Sequence, residues 1–469
     1  MSITGIRLRN FRGFRNAALQ LKPLTVLLGP NSAGKSSFGH ALVALAHAQK
    51  EFATGLASLT PSGHVEDWPV DLGITSDLRT RGADGPVCIE LQTRGGAVEF
   101  GFGGVSHTPN LELNYLMHPS DEFSSAAPTP PPKTAKPSSD VGATSIIRFD
   151  QVISEPNRMI RLKKINEFQW RDGDSEASVI LQGLILKAVT HLTGSPRVVS
   201  GQATTVLQDL FRALTYLRPN RQPPCRRYVN GVGVKQQIGY SGEFTSSVIH
   251  RNRGAAISYA MPPNIPSNDE EARLSAREWR ATTDSLASGL DWWLTHFGLA
   301  RKVDAVPIDG SIGEIGMRVS LQDQVPHDIT EVGFGVSQVI PVVVAGLLQP
   351  PESLFIVDLP EAHLHPRPQA LVADFFCSLA MSGRTVLVET HSEMFFHRLR
   401  LRAAMNHELA ERIAVYFIDA PRDGECVLPR QVGLGYEDEL RWPEGFLQEA
   451  WETESQISLV RGSDQTSKR

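Results

Sequence analysis

The chain has 469 residues, which is long enough for two or three domains or for one large domain with an insertion. Its 41% hydrophobic and 21% charged residues are typical of a soluble globular protein, and a net charge of −5 excludes a globally basic surface for nucleic acid. The four cysteines form no CxxC pair, which argues against a zinc ribbon or a disulfide framework. The N-terminus lacks an apolar signal core, and the longest apolar run is too short to span a bilayer. We expect a cytoplasmic protein without membrane contact.

The first elements in chain order are two strands. Ile3–Phe14 alternates apolar and basic residues and turns at Asn10–Gly13, which predicts an edge strand leading into the next one. Thr25–Leu28 is a run of β-branched and aliphatic residues, as in a buried strand. Helical spacing of apolar residues follows from Phe38 onward.

Between the second strand and this helix lies the full GxxxxGK[ST] pattern, with Gly29, Gly34, Lys35 and Ser36 at its fixed positions. The glycines allow a tight turn whose N–H groups point at phosphates, and the helix adds its positive N-terminal end. Lys35 can reach β- and γ-phosphate oxygens, and Ser36 can ligate Mg²⁺. The context favours a nucleotide site over a simple glycine-rich turn. The predicted site residues are Gly29, Asn31, Ser32, Ala33, Gly34, Lys35, Ser36 and Ser37.

The middle of the chain is less regular. Val87–Gln92 and Ala97–Gly103 predict a hairpin, and the Pro-rich Ser124–Ser139 predicts a flexible linker near residues 107–140. Residues 105–307 are predicted to form a mainly helical insertion. Its expected elements are strands in Asp150–Trp170 and helices in Ser178–His191, Gln202–Leu217 and Glu270–Phe297.

The last third alternates short apolar strands with helices. The strands are Leu354–Val357, Val386–Val388 and Ile413–Ile418, and the helices are Gln369–Met381 and Ser392–Arg402. This alternation predicts a parallel sheet covered on both faces. Ligands of such sheets lie at the carboxyl ends of the strands, where Gly29, Asp358 and His391 fall.

Asp358 ends one of these apolar strands. A carboxylate at that position can hold the Mg²⁺ that Ser36 also contacts, directly or through water. The alternative is an aspartate that caps the next turn, and the presence of the phosphate-binding pattern favours the metal role.

Three further segments, taken with the phosphate-binding pattern, resemble ABC-type AAA ATPases of the OLD, RecF and SMC kind: EVGFGVSQVIPVV (Glu331–Val343), FIVDLPEAHLHP (Phe355–Pro366) and VLVETHSEMFFHRL (Val386–Leu399). The resemblance is closest to the stand-alone AAA ATPases of bacterial anti-phage defence systems. That subgroup also fits four shorter segments: Leu8–Phe14, Leu217–Pro224, Gly239–Thr245 and Trp442–Phe446.

The resemblance implies an α/β fold of the P-loop NTPase class. An ABC-type ATPase head would have a mostly parallel sheet core, an antiparallel β portion and the inserted, mainly helical region. Residues 1–104 and 308–420 would form the head. Residues 421–469 would be a C-terminal extension with a polar tail.

The resemblance also implies a head-to-head dimer in which ATP and Mg²⁺ lie between the P-loop of one subunit and the signature segment of the other. Gly333, Gly335, Ser337 and Gln338 would form the signature. The glycines permit close backbone approach, and Ser337-Gln338 are expected to begin a helix whose N–H groups face the γ-phosphate. Gly333 stands about where the family carries a signature serine, so a mostly backbone contact is expected.

The catalytic roles implied by the resemblance fall on Glu361 and His391. Leu359 follows Asp358 directly, where these ATPases usually carry the catalytic glutamate, so Glu361 is the candidate for orienting the attacking water. His391 would be the switch histidine at the γ-phosphate, with a capping or core histidine as the alternative. A metal cluster of His391 with three other histidines is a further alternative. Those three are His363, His365 and His397.

The function implied is an ATP-binding and ATP-hydrolysing protein, slow in turnover because of Leu359, that forms a homodimer or higher homo-oligomer on ATP and Mg²⁺. It would control a partner effector, a nuclease or a toxin, in anti-phage defence. Two other functions stay open. One is a RecF-like DNA-repair ATPase that binds DNA through basic residues of Arg197–Arg227, and the other is a non-hydrolysing scaffold gated by ATP.

Overall fold

The computed structural model describes most of the chain, and every structural statement below concerns the residues it describes. These are residues 3–51, 69–70, 72, 75–103, 112–119, 144–148, 167–172, 175–182, 185–191, 197–198, 202–229, 237–267, 278–309, 313–419 and 428–435. The predicted linker at Ser124–Ser139, most of Asp150–Trp170, the segment Trp442–Phe446 and the tail beyond residue 435 lie outside them.

An antiparallel sheet of order β2-β1-β4-β5-β6-β7 forms one layer. Its strands, numbered in chain order, are β1 (Ile3–Phe11), β2 (Phe14–Gln20), β4 (Val87–Thr93), β5 (Gly96–Gly103), β6 (Glu112–Pro119) and β7 (Thr144–Arg148). The predicted β4–β5 hairpin is confirmed. The predicted turn between β1 and β2 is also confirmed, with Asn10 and Arg12 at positive φ. The expectation that the first strand lies at an edge is wrong, because β1 pairs with β2 on one side and with β4 on the other.

The second layer is the predicted parallel sheet, in the order β12-β19-β20-β3-β21-β22. Its strands are β3 (Leu24–Leu28), β12 (Thr215–Leu217), β19 (Leu354–Asp358), β20 (Thr385–Glu389), β21 (Ile413–Phe417) and β22 (Arg430–Val432). All neighbouring pairs are parallel except β21 with β22. The strands β3, β19, β20 and β21 are buried along their whole length, because both faces of the sheet are covered.

Alternate residues of these strands enter two different hydrophobic clusters. Leu27, Ile356 and Leu387 pack on the face towards the antiparallel sheet, whereas Val26 and Val388 pack on the opposite face. The first cluster is completed by α1 (Ser36–Glu51) and α3 (Gln202–Ala213). Helices covering the second face are α5 (Leu286–His296), α6 (Phe334–Leu348), α7 (Pro366–Met381), α8 (Glu393–Met405) and α9 (His407–Arg412). The predicted helices of the last third correspond to α7 and α8.

The middle of the chain corrects the sequence-based expectation. Ser178–His191, predicted as a helix, lies in strands β9 (Ser175–Gln182) and β10 (Ile185–His191). They join β8 (Glu167–Asp172) and β11 (Arg197–Val198) in an antiparallel sheet of order β11-β10-β9-β8. The periodicity of a short apolar run does not distinguish a helix from a strand, and this run is rich in β-branched residues.

A second correction concerns Glu270–Phe297. Within it, Arg280–Ser285 forms strand β15, which pairs with β14 (Ala256–Met261), and α5 begins only at Leu286. Ser285 caps α5 by accepting a hydrogen bond from Ser288 N. In Gln202–Leu217 the helix ends at Ala213 and β12 follows. Described strand residues thus outnumber helical ones in residues 105–307, and the expectation of a mainly helical region is wrong.

The remaining elements join the sheets to the helices. They are β13 (Tyr228–Val229), β16 (Lys302–Pro307), β17 (Glu314–Ser320) and β18 (Pro326–Asp328), the short helices α2 (Thr75–Leu78) and α4 (Thr245–Asn252), and a 3₁₀ turn at Ile329–Glu331. Among the described residues, no helix combines the length and the apolar character needed to cross a membrane.

Candidate functional site

The phosphate-binding loop connects the carboxyl end of β3 to α1, which begins at Ser36. Gly29, Ser32 and Gly34 have positive φ values of 141°, 62° and 93°. A Cβ atom on Gly29 would lie 2.1 Å from the carbonyl oxygen of Ile418, so glycine is required there by both conformation and space. Asn31 and Ser32 are exposed, whereas Ala33 and Ser37 are buried. Ala33 and Ser37 can therefore contribute backbone groups, but not side chains, to the surface of the loop.

Lys35 folds back over this loop and is only 2% exposed. Its Nζ donates hydrogen bonds to the carbonyl oxygens of Gly29 (3.0 Å) and Pro30 (2.6 Å) and lies 3.9 Å from Glu389 Oε1. Burial lowers the pKa of Lys35, and the Glu389 carboxylate offsets part of that shift. Phosphate oxygens are stronger acceptors than these carbonyls, so the ammonium group can exchange them for a triphosphate.

Asp358 and Glu389 end the neighbouring strands β19 and β20 and are paired in register. Burial raises the pKa of Glu389 to about 7, and the Asp358 carboxylate acts in the same direction, while a hydrogen bond with Ser36 and the charge of Lys35 oppose it. Ser36, Lys35, Asp358 and Glu389 therefore meet at one edge of the parallel sheet. The sequence predicted this edge as the ligand site.

The residues at this edge fit Mg²⁺, which ABC-type ATPases use with ATP. Hydroxyl and carboxylate oxygens are the ligands Mg²⁺ prefers, and Ser36 and Asp358 supply one of each. Glu389 Oε2 is buried and has no hydrogen-bond partner among the described residues, so an electropositive group would be stabilised beside it. No group of three or more His, Cys, Asp or Glu residues in the described part of the chain could hold a metal by itself. Phosphate oxygens would have to complete the ligand set.

The turn after Asp358 brings Glu361 back to the same edge. Leu359 has a φ of 48°, and its N–H donates to Glu389 O (2.8 Å). Glu361 Oε1 accepts hydrogen bonds from Thr390 Oγ1 (2.7 Å) and His391 N (2.9 Å). Glu361 Oε2 is buried and has no hydrogen-bond partner in the described part of the chain, and burial raises the pKa of this carboxyl group. One oxygen of Glu361 is thus anchored while the other is not.

His391 follows β20 and is exposed at its end. Its imidazole hydrogen-bonds the backbone of Gly29, at the start of the phosphate-binding loop. Burial of part of the ring and the charge of Lys35 lower the pKa of His391, which favours the neutral imidazole. The two candidate catalytic residues therefore lie on adjacent strand ends.

The signature segment differs from its expected form. Helix α6 begins at Phe334, about one turn before the predicted start at Ser337-Gln338, and Gly333 is its N-cap. Ser337 Oγ donates to Phe334 O (2.7 Å), and Gln338, 2% exposed, donates to Gln222 O (3.4 Å). These two side chains bond within their own chain.

The two signature glycines have different surroundings. A Cβ on Gly335 would lie 2.6 Å from His363 O, so this glycine is explained by packing inside the chain. A Cβ on Gly333 would meet nothing within 4 Å, and the neighbouring Phe334 is 42% exposed. Gly333 and Phe334 are therefore the part of the signature that is accessible to another molecule.

Sequence reasoning missed three residues around Asp358. Tyr216 on β12 donates its hydroxyl hydrogen to Asp358 Oδ2 (2.8 Å), and His40 on α1 lies beside both. Arg221 donates to the carbonyl oxygens of Asp358 (3.1 Å) and Leu359 (2.6 Å), and burial lowers the pKa of Arg221 to about 10. Of these three residues, the sequence could have pointed only to Arg221, since it lies in the Leu217–Pro224 segment that carried part of the resemblance.

Two segments of the chain match family models of AAA ATPases. Residues 1–80 match the model described as "AAA ATPase domain", and residues 262–396 match "AAA domain, putative AbiEii toxin, Type IV TA system". The matched segments are similar to AAA ATPase domains. They contain the phosphate-binding loop, the signature helix, Asp358, Glu361 and His391. The chain has the α/β fold of P-loop NTPases, and the two matches support an ATP-binding ATPase.

The solved structures that match the chain at low similarity include two heads of SMC proteins. The SMC head domain from Thermotoga maritima is 9% identical, with 92% of this chain and 99% of that chain covered and a TM-score of 0.34. An SmcHead bound to the C-winged helix domain of ScpA is 10% identical, with 92% and 98% covered and a TM-score of 0.37. Likenesses this distant carry no functional information. No curated protein matches the chain.

Proposed function

We propose that this ATPase binds ATP and Mg²⁺, assembles head to head as a homodimer or higher homo-oligomer, and thereby controls a partner effector, a nuclease or a toxin, in anti-phage defence. The observation that carries the proposal is the convergence of Lys35, Ser36, Asp358 and Glu361 at one sheet edge, with buried oxygens that lack partners. Such a buried polar arrangement is costly without a ligand.

In this proposal the P-loop holds the triphosphate. Backbone N–H groups from Asn31 to Ser37 would surround the phosphates, and Lys35 would give up its bonds to loop carbonyls to donate to the β- and γ-phosphates. Ser36 and Asp358 would hold Mg²⁺, which supplies positive charge to the phosphate oxygens when bound. Arg221 keeps the backbone after Asp358 in the conformation that brings Glu361 to the site.

Glu361 is the proposed water-orienting residue. Thr390 and the His391 N–H hold its Oε1, which leaves Oε2 to accept a hydrogen bond from water. Burial raises the pKa of Glu361, which makes its carboxylate a stronger base. A neutral His391 would exchange its hydrogen bond to the Gly29 backbone for one donated to the γ-phosphate.

Assembly would use the accessible start of α6. Gly333 and Phe334 are exposed, and the N-terminal N–H groups of a helix of this length attract anions. In the proposed dimer they face the nucleotide held by the other subunit. The family matched by residues 262–396 is described as a putative toxin of a toxin–antitoxin system, which supports a role with an effector.

The proposed head is built from both ends of the chain and part of the middle. Strand β12 and helix α3 lie within residues 105–307 but belong to the parallel sheet and its core. We therefore propose an insertion that ends before Gln202, rather than at residue 307. The proposed C-terminal extension after residue 420 contributes β22 to the head, because Arg430–Val432 pairs with β21 in the parallel sheet.

A second candidate function is the non-hydrolysing, ATP-gated scaffold. The observation that favours it is Leu359, which occupies the position of the usual catalytic glutamate and offers no hydrogen bond. The DNA-binding alternative has less support, since five arginines between residues 212 and 227 bond within the chain. Arg212, Arg226 and Arg227 form ion pairs, and Arg218 and Arg221 donate to carbonyls.

The test measures ATP hydrolysis and oligomeric mass on the same preparation. We expect light scattering to show twice the monomer mass with Mg²⁺ and a slowly hydrolysed ATP analogue, and the monomer mass with EDTA. Measurable phosphate release would favour the ATPase, and assembly without release would favour the scaffold. Equal mass in both conditions together with absent nucleotide binding would overturn the proposal.

A further inference from the structure

Four polar side chains form a continuous series of contacts that ends at Asp358. Arg12 Nη1 lies 3.2 Å from His40 Nδ1, and His40 Nε2 lies 3.2 Å from the Tyr216 hydroxyl. The Tyr216 hydroxyl in turn lies 2.8 Å from Asp358 Oδ2. These residues come from four separate elements, namely the β1–β2 turn, α1, β12 and β19. This series of contacts therefore links the antiparallel sheet to the end of a central parallel strand.

The chemistry of the two end groups fixes the direction of every hydrogen bond. A guanidinium group has donors only, so Arg12 must donate and His40 Nδ1 must accept. His40 then carries its proton on Nε2 and donates it to the Tyr216 oxygen. Tyr216 uses its single O–H to donate to Asp358, which as a carboxylate can only accept. The four groups thus form one oriented series that begins at a cation and ends at an anion.

The series restrains the Asp358 carboxylate. Tyr216 is 2% exposed, and its ring belongs to the cluster beneath the antiparallel sheet, so it cannot follow a rotation of Asp358. His40 Nε2 also lies 3.7 Å from Asp358 Oδ2. Holding Oδ2 fixes the direction of the other carboxylate oxygen, Oδ1.

We propose that Tyr216 and His40 are positioning residues that orient Asp358 for the divalent cation that accompanies the nucleotide. The inference rests on the proposed function, because it assumes that Asp358 meets Mg²⁺. Partners that hydrogen-bond a metal-ligating carboxylate set its direction and its basicity, so losing them weakens metal binding. The residues affect the cation-dependent part of nucleotide binding and leave the contacts of the P-loop unchanged.

The chain offers a matched control on the same helix. His47 lies two turns after His40 on α1, and its Nδ1 is 3.5 Å from the hydroxyl of Tyr240. The rings of Tyr216 and Tyr240 are neighbours, with centroids 6.4 Å apart. Tyr240→Phe therefore removes a hydroxyl of the same kind, in the same cluster, without touching Asp358.

The experiment titrates the full chain with a fluorescent ATP analogue, once in Mg²⁺ and once in EDTA. For Tyr216→Phe we expect the gain in affinity from Mg²⁺ to fall by roughly tenfold, the lower end of the effect of partners of metal ligands. Affinity in EDTA should equal that of the wild type, and Tyr240→Phe should behave as the wild type in both conditions. A gain from Mg²⁺ in Tyr216→Phe equal to that in Tyr240→Phe overturns the inference.

A second pair of variants tests the orientation of the series. His40→Leu should show the same loss as Tyr216→Phe, whereas His40→Gln should retain most of the gain, because its amide keeps an acceptor for Arg12 and a donor for Tyr216. Equal behaviour of the two His40 variants would contradict the oriented series. If the wild type itself binds no ATP analogue, the proposed function fails instead, and the two failures are thereby distinguished.

Discussion

The two halves of the proposed composite site have opposite surroundings. On the P-loop side, Lys35, Asp358 and Glu361 are buried and bonded within one chain. On the signature side, Gly333 and Phe334 are exposed at the start of α6. In the proposed dimer, one subunit would supply the groups that hold the nucleotide, whereas the start of α6 would act only on the nucleotide of the other subunit.

The largest expected effect concerns the catalytic step on the P-loop side. Glu361→Gln should lower ATP turnover by roughly 10²- to 10⁴-fold, the range that general acid–base groups contribute. The amide still accepts from Thr390 and His391, so binding of ATP should persist and the dimer should live longer. Phosphate release and light scattering measure the two effects.

Glu389→Gln is the matched control for Glu361→Gln, since both carboxylates are buried on adjacent segments and each has an unpartnered oxygen. We expect its turnover to remain within roughly tenfold of the wild type, because Glu389 contacts Lys35 and Ser36 rather than the water position. The opposite ranking of the two variants would assign the base to Glu389.

A smaller effect is expected for nucleotide binding. Lys35→Ala removes charge-assisted hydrogen bonds worth about 1.5–3 kcal/mol each, so ATP affinity should fall by at least ~100-fold. Equilibrium titration with a fluorescent ATP analogue measures it. Lys302→Ala, at an exposed ion pair with Asp304 on β16, should bind as the wild type. Equal affinity in the Lys35 and Lys302 variants would remove the P-loop assignment.

The smallest effect distinguishes the two signature glycines. Gly335→Ala places a Cβ against His363 O, so it should destabilise the monomer by about 1–3 kcal/mol with or without ATP. Gly333→Trp has open space around its Cβ and should change monomer stability by less than about 1 kcal/mol. It should nevertheless block the ATP-dependent increase in mass.

Denaturant unfolding and light scattering separate these two outcomes. Normal assembly of Gly333→Trp would place the dimer contact elsewhere than at the start of α6. Loss of assembly in Gly335→Ala by itself carries little weight, because the damaged packing lies within its own chain.

The sequence predicted a local feature wherever its residue types and spacing fit a single chemical role. The spacing of Gly29, Gly34 and Lys35 predicts a phosphate loop, because few other loops need residues at positive φ together with a lysine at these positions. Asp358 and His391 were placed at the ligand edge because fully apolar strands in a parallel sheet are recognisable as such. The prediction failed at Ser178–His191, where a short apolar run was compatible with either a helix or a strand.

Only the tertiary structure decided which side chains face one another. Tyr216 and Arg221 lie more than a hundred residues from Asp358 in the chain, and they reach it because β12 pairs with β19. The sequence predicted Gly335 as a contact for a second subunit. In the structure, a Cβ atom at this position would collide with the backbone of His363 in the same chain. The spacing of residues along the sequence determines the conformation of neighbouring residues, and it was therefore sufficient to predict the phosphate loop. Contacts between distant segments arise only when the whole chain packs, so the residues that hold Asp358 in place became visible only in the tertiary structure.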